Sequence, residues 1–300
     1  MRQDEKLTII CDGESIELSP SSHYFWKGAE GMAGRSADIY TSQGSARPGV
    51  KVTGKHLLSA PFTVFGQINK KLVDYDVARE ALLRVIKTGR DCKIIYENSL
   101  YKRYINSVVR TAPDPDRSVF AEFEIEFFSP SPFWRGGDGD ARIITGIANW
   151  LPNLEFLEDG LEIPEEGIEL EYRAPSLLVN FVNTGDEDLP MTIVFTAIAT
   201  VSNPKIINVL TQEYMVVERE MLAGDVITVE TDEDVLTATL NRGGVLTNVF
   251  NDVPDDATWL KFYAKSTDNP NGDNYIRAEA SNDDYLTTEI LCDNMLYNGV

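Results

Sequence analysis

The sequence predicts a mainly β protein of two domains, an N-terminal β-sandwich carrying one helix and a C-terminal antiparallel β-sandwich. Three observations carry this reading. Short apolar runs divided by Gly, Pro, Asn and Asp fill the second half, and one segment alone in the first half has a clear helical period. Between them, residues 119–135 read as a strand that runs into a proline-broken aromatic seam.

In the first half, strands are expected at Lys6 to Ile10, Val50 to Thr53, Pro61 to Ile68, Lys93 to Tyr96, Tyr104 to Val109 and Val119 to Phe127. The helix is YDVAREALLRVIKTG. Asp74 can cap it, Val77, Ala78, Ala81, Leu82, Val85 and Ile86 recur at helical spacing, and Gly89 offers a left-handed exit. The polar stretch from Gly28 to Gly49, rich in Gly, Ser and Arg, has no core periodicity and is expected as a long loop, either a functional arm or disordered.

At the seam, Val119, Ala121, Phe123, Ile125 and Phe127 alternate with Glu122, Glu124 and Glu126, the pattern of a strand with one wet face. Pro130 and Pro132 cannot donate to a ladder, so pairing should stop near Ser129. Phe128, Phe133 and Trp134 are left as candidates for packing or for an interface. The GGDGD run that follows sets the expected boundary, with domains at 1–140 and 141–300.

The charge follows the same boundary. Residues 1–140 hold 19 Lys and Arg against 19 Asp and Glu, whereas the rest hold 8 against 29, so the net charge of −21 lies in the second half. A neutral body can crowd against copies of itself, while an acidic one repels its neighbours and stays solvated. Such a surface is also repelled by phosphate, which argues against nucleic acid as a partner.

The second half reads as strand after strand: NFVN, MTIVFTAIATV, KIINVL, YMVVERE, DVITVET, VLTATL, TWLKFYAK, YIRAEA and LTTEILC, with no competing helix. Glu155, Glu158, Asp159, Glu162, Glu165, Glu166, Glu169 and Glu171 alternate with apolar residues. They suit a charged edge hairpin or a cation- or partner-binding arm.

Little in the chain points to catalysis. His23 and His56 are the only histidines, and no HExxH, GxSxG or Cys/His arrangement appears. Glycoside hydrolysis by paired carboxylates is a remote alternative, because among so many acids any pair arises by coincidence. Aligned on Gly272, TDNPNGDNYIRAE puts Thr267 and Ala278 where a calcium loop needs its terminal carboxylates, so a hairpin turn is expected and no metal ligand is assigned. Cys11, Cys92 and Cys292 are odd in number and far apart, which predicts free thiols in a reducing compartment. No secretory h-region is visible. The apolar run Met191 to Val201 is about half the roughly twenty residues of a membrane span, so a soluble protein made in the cytosol, without membrane insertion, is expected.

Taken in order, the helix, the strands, FFSPSPFW, NFVNTGDEDLPMTIVF, SNPKIINVLT, LAGDVITVET and a final LYNGV resemble the siphophage distal tail protein family. The family's proline and aromatic seam corresponds to Ser129 to Trp134, and its Asn-x-Gly-Asp turn to Asn183 to Asp186. In that turn Gly185 is expected at positive φ, with Asn183 and Asp186 bonding nearby amides. The resemblance implies a tail-tube-like first domain that assembles as a hexameric ring, and a galectin-like second domain projecting outward. It implies a non-enzymatic structural subunit of the virion tail, with no cofactor, that joins the tail tube protein to the baseplate, tail-associated lysin or receptor-binding proteins. A carbohydrate-binding module is the alternative, with Trp259, Tyr263 and Tyr275 stacking on cell-surface saccharide. The acidic run at 155–171 has no counterpart in the family pattern.

Overall fold

The computed structural model describes residues 5–34, 36–43, 49–137, 143–146, 148–152, 171–175, 178–232, 235–282 and 285–300. The chain divides into two compact units, Met1–Gly139 with Leu296–Val300, and Asp140–Met295.

The first unit contains β1 (Lys6–Cys11), β2 (Glu14–Leu18), β3 (Tyr24–Glu30), β4 (Ala37–Ser42), β5 (Lys51–Leu57), β6 (Ala60–Ile68), α1 (Tyr75–Val85), β7 (Asp91–Glu97), β8 (Lys102–Thr111), β9 (Glu122–Ser129) and β10 (Trp134–Gly136). Seven of these strands close into a barrel in the order β8-β7-β1-β2-β3-β6-β9, with β9 returning to β8. The neighbours are antiparallel except β2 and β3, which meet in parallel at Leu18 and Tyr24. The expectation of a sandwich thus gives way to closure. Strand β8 pairs with β7 over Lys102–Val108 and with β9 over Val108–Thr111, with a register shift between Val109 and Thr111 in the second pairing.

Alternation fills the interior with Leu7, Ile9, Phe62, Val64, Ile94, Ile125 and Phe127. Helix α1 forms where its period and cap place it. Asp74 accepts from the amides of Asp76 and Val77, and Ala78, Leu82 and Val85 are buried while Val77 faces solvent. The Tyr24 hydroxyl donates to the Ala78 carbonyl at 2.8 Å, tying the helix to β3.

Three expectations are corrected in this unit. Part of the stretch from Gly28 to Gly49 is not loop, because Tyr24–Glu30 continues through Gly28 and Ala37–Ser42 pairs with Lys51–Leu57 as a separate two-stranded hairpin. Val119 lies before β9 and is 83% exposed, since Ala121 turns the chain at φ +47° and only the residues after it join the sheet. Cys11 and Cys92, expected as free thiols, form a disulfide. Although 81 residues apart, they are partners across the β1–β7 ladder with Cα atoms 4.3 Å apart.

The second unit adds β11 (Ile143–Gly146), β12 (Ala148–Pro152), β13 (Glu171–Pro175), β14 (Val179–Val182), β15 (Leu189–Pro190), β16 (Thr192–Ala197), β17 (Val201–Ser202), β18 (Lys205–Asn208) and β19 (Tyr214–Val216). After these come β20 (Glu220–Met221), β21 (Val226–Glu230), β22 (Thr237–Arg242), β23 (Val245–Asn248), β24 (Lys261–Phe262), β25 (Asp273–Glu279) and β26 (Leu286–Cys292). A sheet ordered β11-β26-β16-β21-β22-β23 and another ordered β14-β25-β18-β19 are accompanied by three two-stranded pairs, all antiparallel.

Each of the two larger sheets buries alternate residues, such as Ile193, Phe195, Ile227 and Val229 in the first and Phe181, Ile206 and Ile276 in the second. The helical element described in this unit is one 3-10 turn, Phe250–Asp252. The acidic run from Glu155 onward lies outside the described residues except for Glu171, in β13.

The last strand, β27 (Leu296–Tyr297), belongs to the first unit. It pairs with β10, placing Tyr297 opposite Trp134 and Leu296 opposite Arg135.

Candidate interaction surfaces

The proline seam folds inward. Ser129 Oγ lies 2.8 Å from the carbonyls of both Asn106 and Ser131, sharing its one O–H between them, and β9 ends where Pro130 lacks an amide donor. Trp134 is fully buried. Its Nε1 donates to the Met32 carbonyl at 3.1 Å, and its ring lies 6.1 Å from that of Phe62, which stacks on Phe127 at 5.2 Å. Of the three residues singled out in the sequence, Trp134 is therefore core, Phe133 is half-buried and Phe128 is 40% exposed on the outer side of β9.

That outer side is a patterned surface. Glu122, Glu124, Glu126 and Phe128 point outward along β9, and in register beside them on β6 stand Gln67, Phe65, Thr63 and Pro61. A groove of about 570 Å³ is lined by Phe65, Gly66 and Phe123 together with Asp114, Glu122 and Glu124. Gly66 is required there, because a Cβ would lie 2.3 Å from the Phe123 ring. Lys27 offsets Glu122 at 2.6 Å, and Glu126 accepts from the Thr111 hydroxyl.

The β4–β5 hairpin is the opposite kind of surface. Every residue of β4 and all of β5 but Gly54 are exposed, including Ile39 at 58%, Tyr40 at 57% and Val52 at 48%. Among the described residues, none covers these side chains. A signal was present in the sequence, the β-formers Ile39, Tyr40 and Thr41 followed by Val50, Val52 and Thr53, but the intervening Gly and Ser obscured it.

In the second unit, the Asn-Thr-Gly-Asp turn is built on Asn183. Its Oδ1 accepts from the Gly185 amide and its Nδ2 donates to the carbonyls of Glu187 and Phe262. Gly185 does not take the expected positive φ, because the buried Asn183 side chain organises the turn instead. A second polar anchor was not evident in the sequence. Arg242 binds the buried Asp225 through Nε and Nη2 at 2.5–3.0 Å, and the Leu222 amide adds a third donor. The Arg242 hydrogen bonds hold the Asp225 carboxyl below its ordinary range.

The three aromatics considered for saccharide differ in their surroundings. Trp259 stacks on Phe250 at 5.2 Å. The Tyr263 hydroxyl donates to Glu213 at 2.6 Å, and burial with that bond raises its phenol. Tyr275 is half-buried on β25, opposite Asn180 of β14. The segment 266–273 closes as a turn in which Asn269 Oδ1 accepts from the Asp273 amide, but it is not the expected hairpin, since β24 pairs with β15 and β25 with β14 and β18. Among the described residues, no cluster of three or more His, Cys, Asp or Glu side chains is placed to hold a metal ion, and no helix is long and apolar enough to cross a membrane.

Comparison with known proteins places this architecture. Residues 12–129 match the family described as the phage tail protein RIFT-related domain. No curated protein sequence matches the chain. The fold is similar to the crystal structure of the Dit protein of phage SPP1, described as a paradigm of the hub adsorption apparatus in phages infecting Gram-positive bacteria. The likeness covers 96% of this chain and 98% of that one, with 12% identity and a TM-score of 0.60. A chain of the phage P2 baseplate in its activated conformation with Ca aligns over the full length of both, with 10% identity and a TM-score of 0.42.

The chain thus carries, over residues 12–129, a match to a phage tail protein domain. More particularly, it carries the RIFT-related tail domain in its barrel and has the fold of a distal tail protein across both units.

Proposed function

We propose that the protein is a structural subunit of the tail tip that assembles as a hexameric ring, joining the tail tube to baseplate or host-contacting components. The observation that supports this best is the extent of the fold likeness, nearly the whole of both chains, with a tail-protein domain in the barrel. The charge division agrees with it, since a neutral barrel tolerates close copies while an acidic second unit keeps its neighbours apart. Barrel closure alters how copies meet. With β9 closed onto β8, the sheet's remaining end is the short strand β27, so ring contacts fall mainly to side chains and to the exposed hairpin. Light scattering of the full chain over a concentration series, with electron microscopy of the largest species, tests the reading. A six-membered ring supports it, and a monomer throughout opposes it.

The second unit is read as a galectin-like sandwich, in agreement with its two larger antiparallel sheets. A saccharide-binding role is the second reading, favoured by Tyr275, which shares the outward side of β25 with Arg277 and lies opposite Asn180. Glycan binding by the full chain that is lost in Tyr275→Ala supports it.

A further inference from the structure

We propose that Cys11 and Cys92 form a reversible redox clasp. The first unit folds with both thiols free, a small-molecule disulfide then closes the bond without moving the strands, and the Asp12–Arg90 ion pair sets how fast it reopens. The inference does not depend on the ring reading.

The ladder brings the two cysteines together whether or not they are bonded. Cys11 ends β1 at the two-residue turn Asp12–Gly13, where φ is +51° and +84°, and it stands opposite Glu14 on β2 and Cys92 on β7. Five further pairs, from Lys6 with Glu97 to Ile10 with Lys93, hold β1 against β7 independently of the sulfurs. Two thiols placed this way stay neighbours after reduction.

The surroundings also suit free thiols. The Cys92 sulfur lies 3.7 Å from the Arg90 carbonyl, which can accept from a thiol S–H, whereas a disulfide sulfur has no hydrogen to give. Ser107 stands in register beside Cys92 on β8, and its hydroxyl is buried without a hydrogen-bond partner among the described residues. A Cys92 thiol offers that hydroxyl a weak donor and a weak acceptor.

Access to the sulfurs is restricted. Cys11 is fully buried and Cys92 is 4% exposed, so a reductant reaches the bond only when this end of the ladder opens. Asp12 follows Cys11 directly, and Arg90 precedes Cys92 by two residues. Their ion pair, at 2.9 Å, ties together the same two segments, and Arg90 Nη1 also donates to the Val85 carbonyl at the end of α1 at 3.3 Å. Opening must break this pair. Once closed, the bond joins residues 81 apart in sequence, with β2 to β6 and α1 between them, and a cross-link over so long a loop restricts the unfolded chain strongly.

Closure is thiol–disulfide exchange. One cysteine thiolate attacks the small disulfide and expels a small thiolate, and the other cysteine thiolate then attacks the mixed disulfide and expels the second. The two protein thiols lose two electrons and two protons, and the small disulfide is reduced to two thiols.

The full chain, purified in dithiothreitol and again after treatment with oxidised glutathione, tests the clasp. Both forms should give the same far-ultraviolet circular dichroism, and peptide mapping of the treated form should show Cys11 joined to Cys92. The oxidised form should melt on the order of 10 °C higher. Cys11→Ser with Cys92→Ser should melt like the reduced chain, with or without glutathione. Asp12→Asn keeps a residue that tolerates positive φ; its disulfide should be reduced by dithiothreitol about threefold faster in the folded protein and at the natural rate in denaturant. A reduced chain that is unfolded, or glutathione adducts that persist at Cys11 or Cys92 in place of the internal bond, would overturn the clasp. Equal native reduction rates for Asp12→Asn and the natural chain would overturn the role of the ion pair.

Discussion

The Arg103 guanidinium lies 3.7 Å from the centroid of the Tyr297 ring and 4.3 Å from that of Tyr101, and its Nη1 donates to the Gly299 carbonyl. One side chain thereby holds the segment 296–300 to the barrel by two ring contacts and a charged hydrogen bond. Arg103→Ala should destabilise the first unit by about 2 kcal/mol in urea denaturation. Arg103→Lys should recover only part of this, since an ammonium lacks the planar face that stacks between rings. Equal stability of the natural chain and the alanine variant would contradict this role.

Trp134 is where the aromatic seam contributes most to stability. Trp134→Ala should cost about 3–5 kcal/mol through the cavity it leaves. Trp134→Phe keeps much of the volume but deprives the buried Met32 carbonyl of its donor, a loss of about 1–3 kcal/mol. Denaturation midpoints of the two variants separate packing from hydrogen bonding. A phenylalanine variant as stable as the natural chain would show that water replaces the indole donor.

The three cysteines should titrate unequally. With the Cys11–Cys92 disulfide formed, thiol assay in denaturant without reductant should give one thiol per chain, and full reduction should give three. The remaining thiol, Cys292, should resist alkylation in the folded protein at pH 8, because burial and the adjacent Asp293 push its pKa up to about 12. Three thiols before reduction would show the pair unformed, and rapid native alkylation would show Cys292 open to solvent.

Acid stability should depend on Asp225. Its pKa is lowered by Arg242, so the folded state favours the ionised form and the stabilisation is complete above the ordinary carboxylate value of about 3.9. It is lost as pH falls through the lowered folded value. Asp225→Asn should lower the melting temperature at pH 7 and flatten its decline between about pH 5 and pH 2. Parallel melting curves for the two proteins across that range would show that the pair contributes no pH dependence.

Much of the architecture was legible in local patterns. The α1 cap and apolar stripe, the alternation of Phe123, Ile125 and Phe127, and the halt of β9 at Ser129 follow from spacing and from proline chemistry within a few residues. The surfaces were less legible. Residues Glu122, Glu124 and Glu126 were visible as a wet face, but that Phe65 and Gly66 lie beside them depends on the pairing of β6 with β9, more than fifty residues away in the chain. The first strand of the hairpin was read as loop, although a strand was expected at Val50 to Thr53, because its residues bury nothing, and burial is what gives alternation its signal.

The sequence by itself determined the β class, the lone helix, the seam and the confinement of net negative charge to one half, because each is written in adjacent residues or in composition. Barrel closure, the Cys11–Cys92 bond, the Trp134 to Met32 contact and the return of β27 to β10 were decided only by tertiary structure. Each joins residues that no local period relates, and strand register, set by the packing of the whole unit, brings them together.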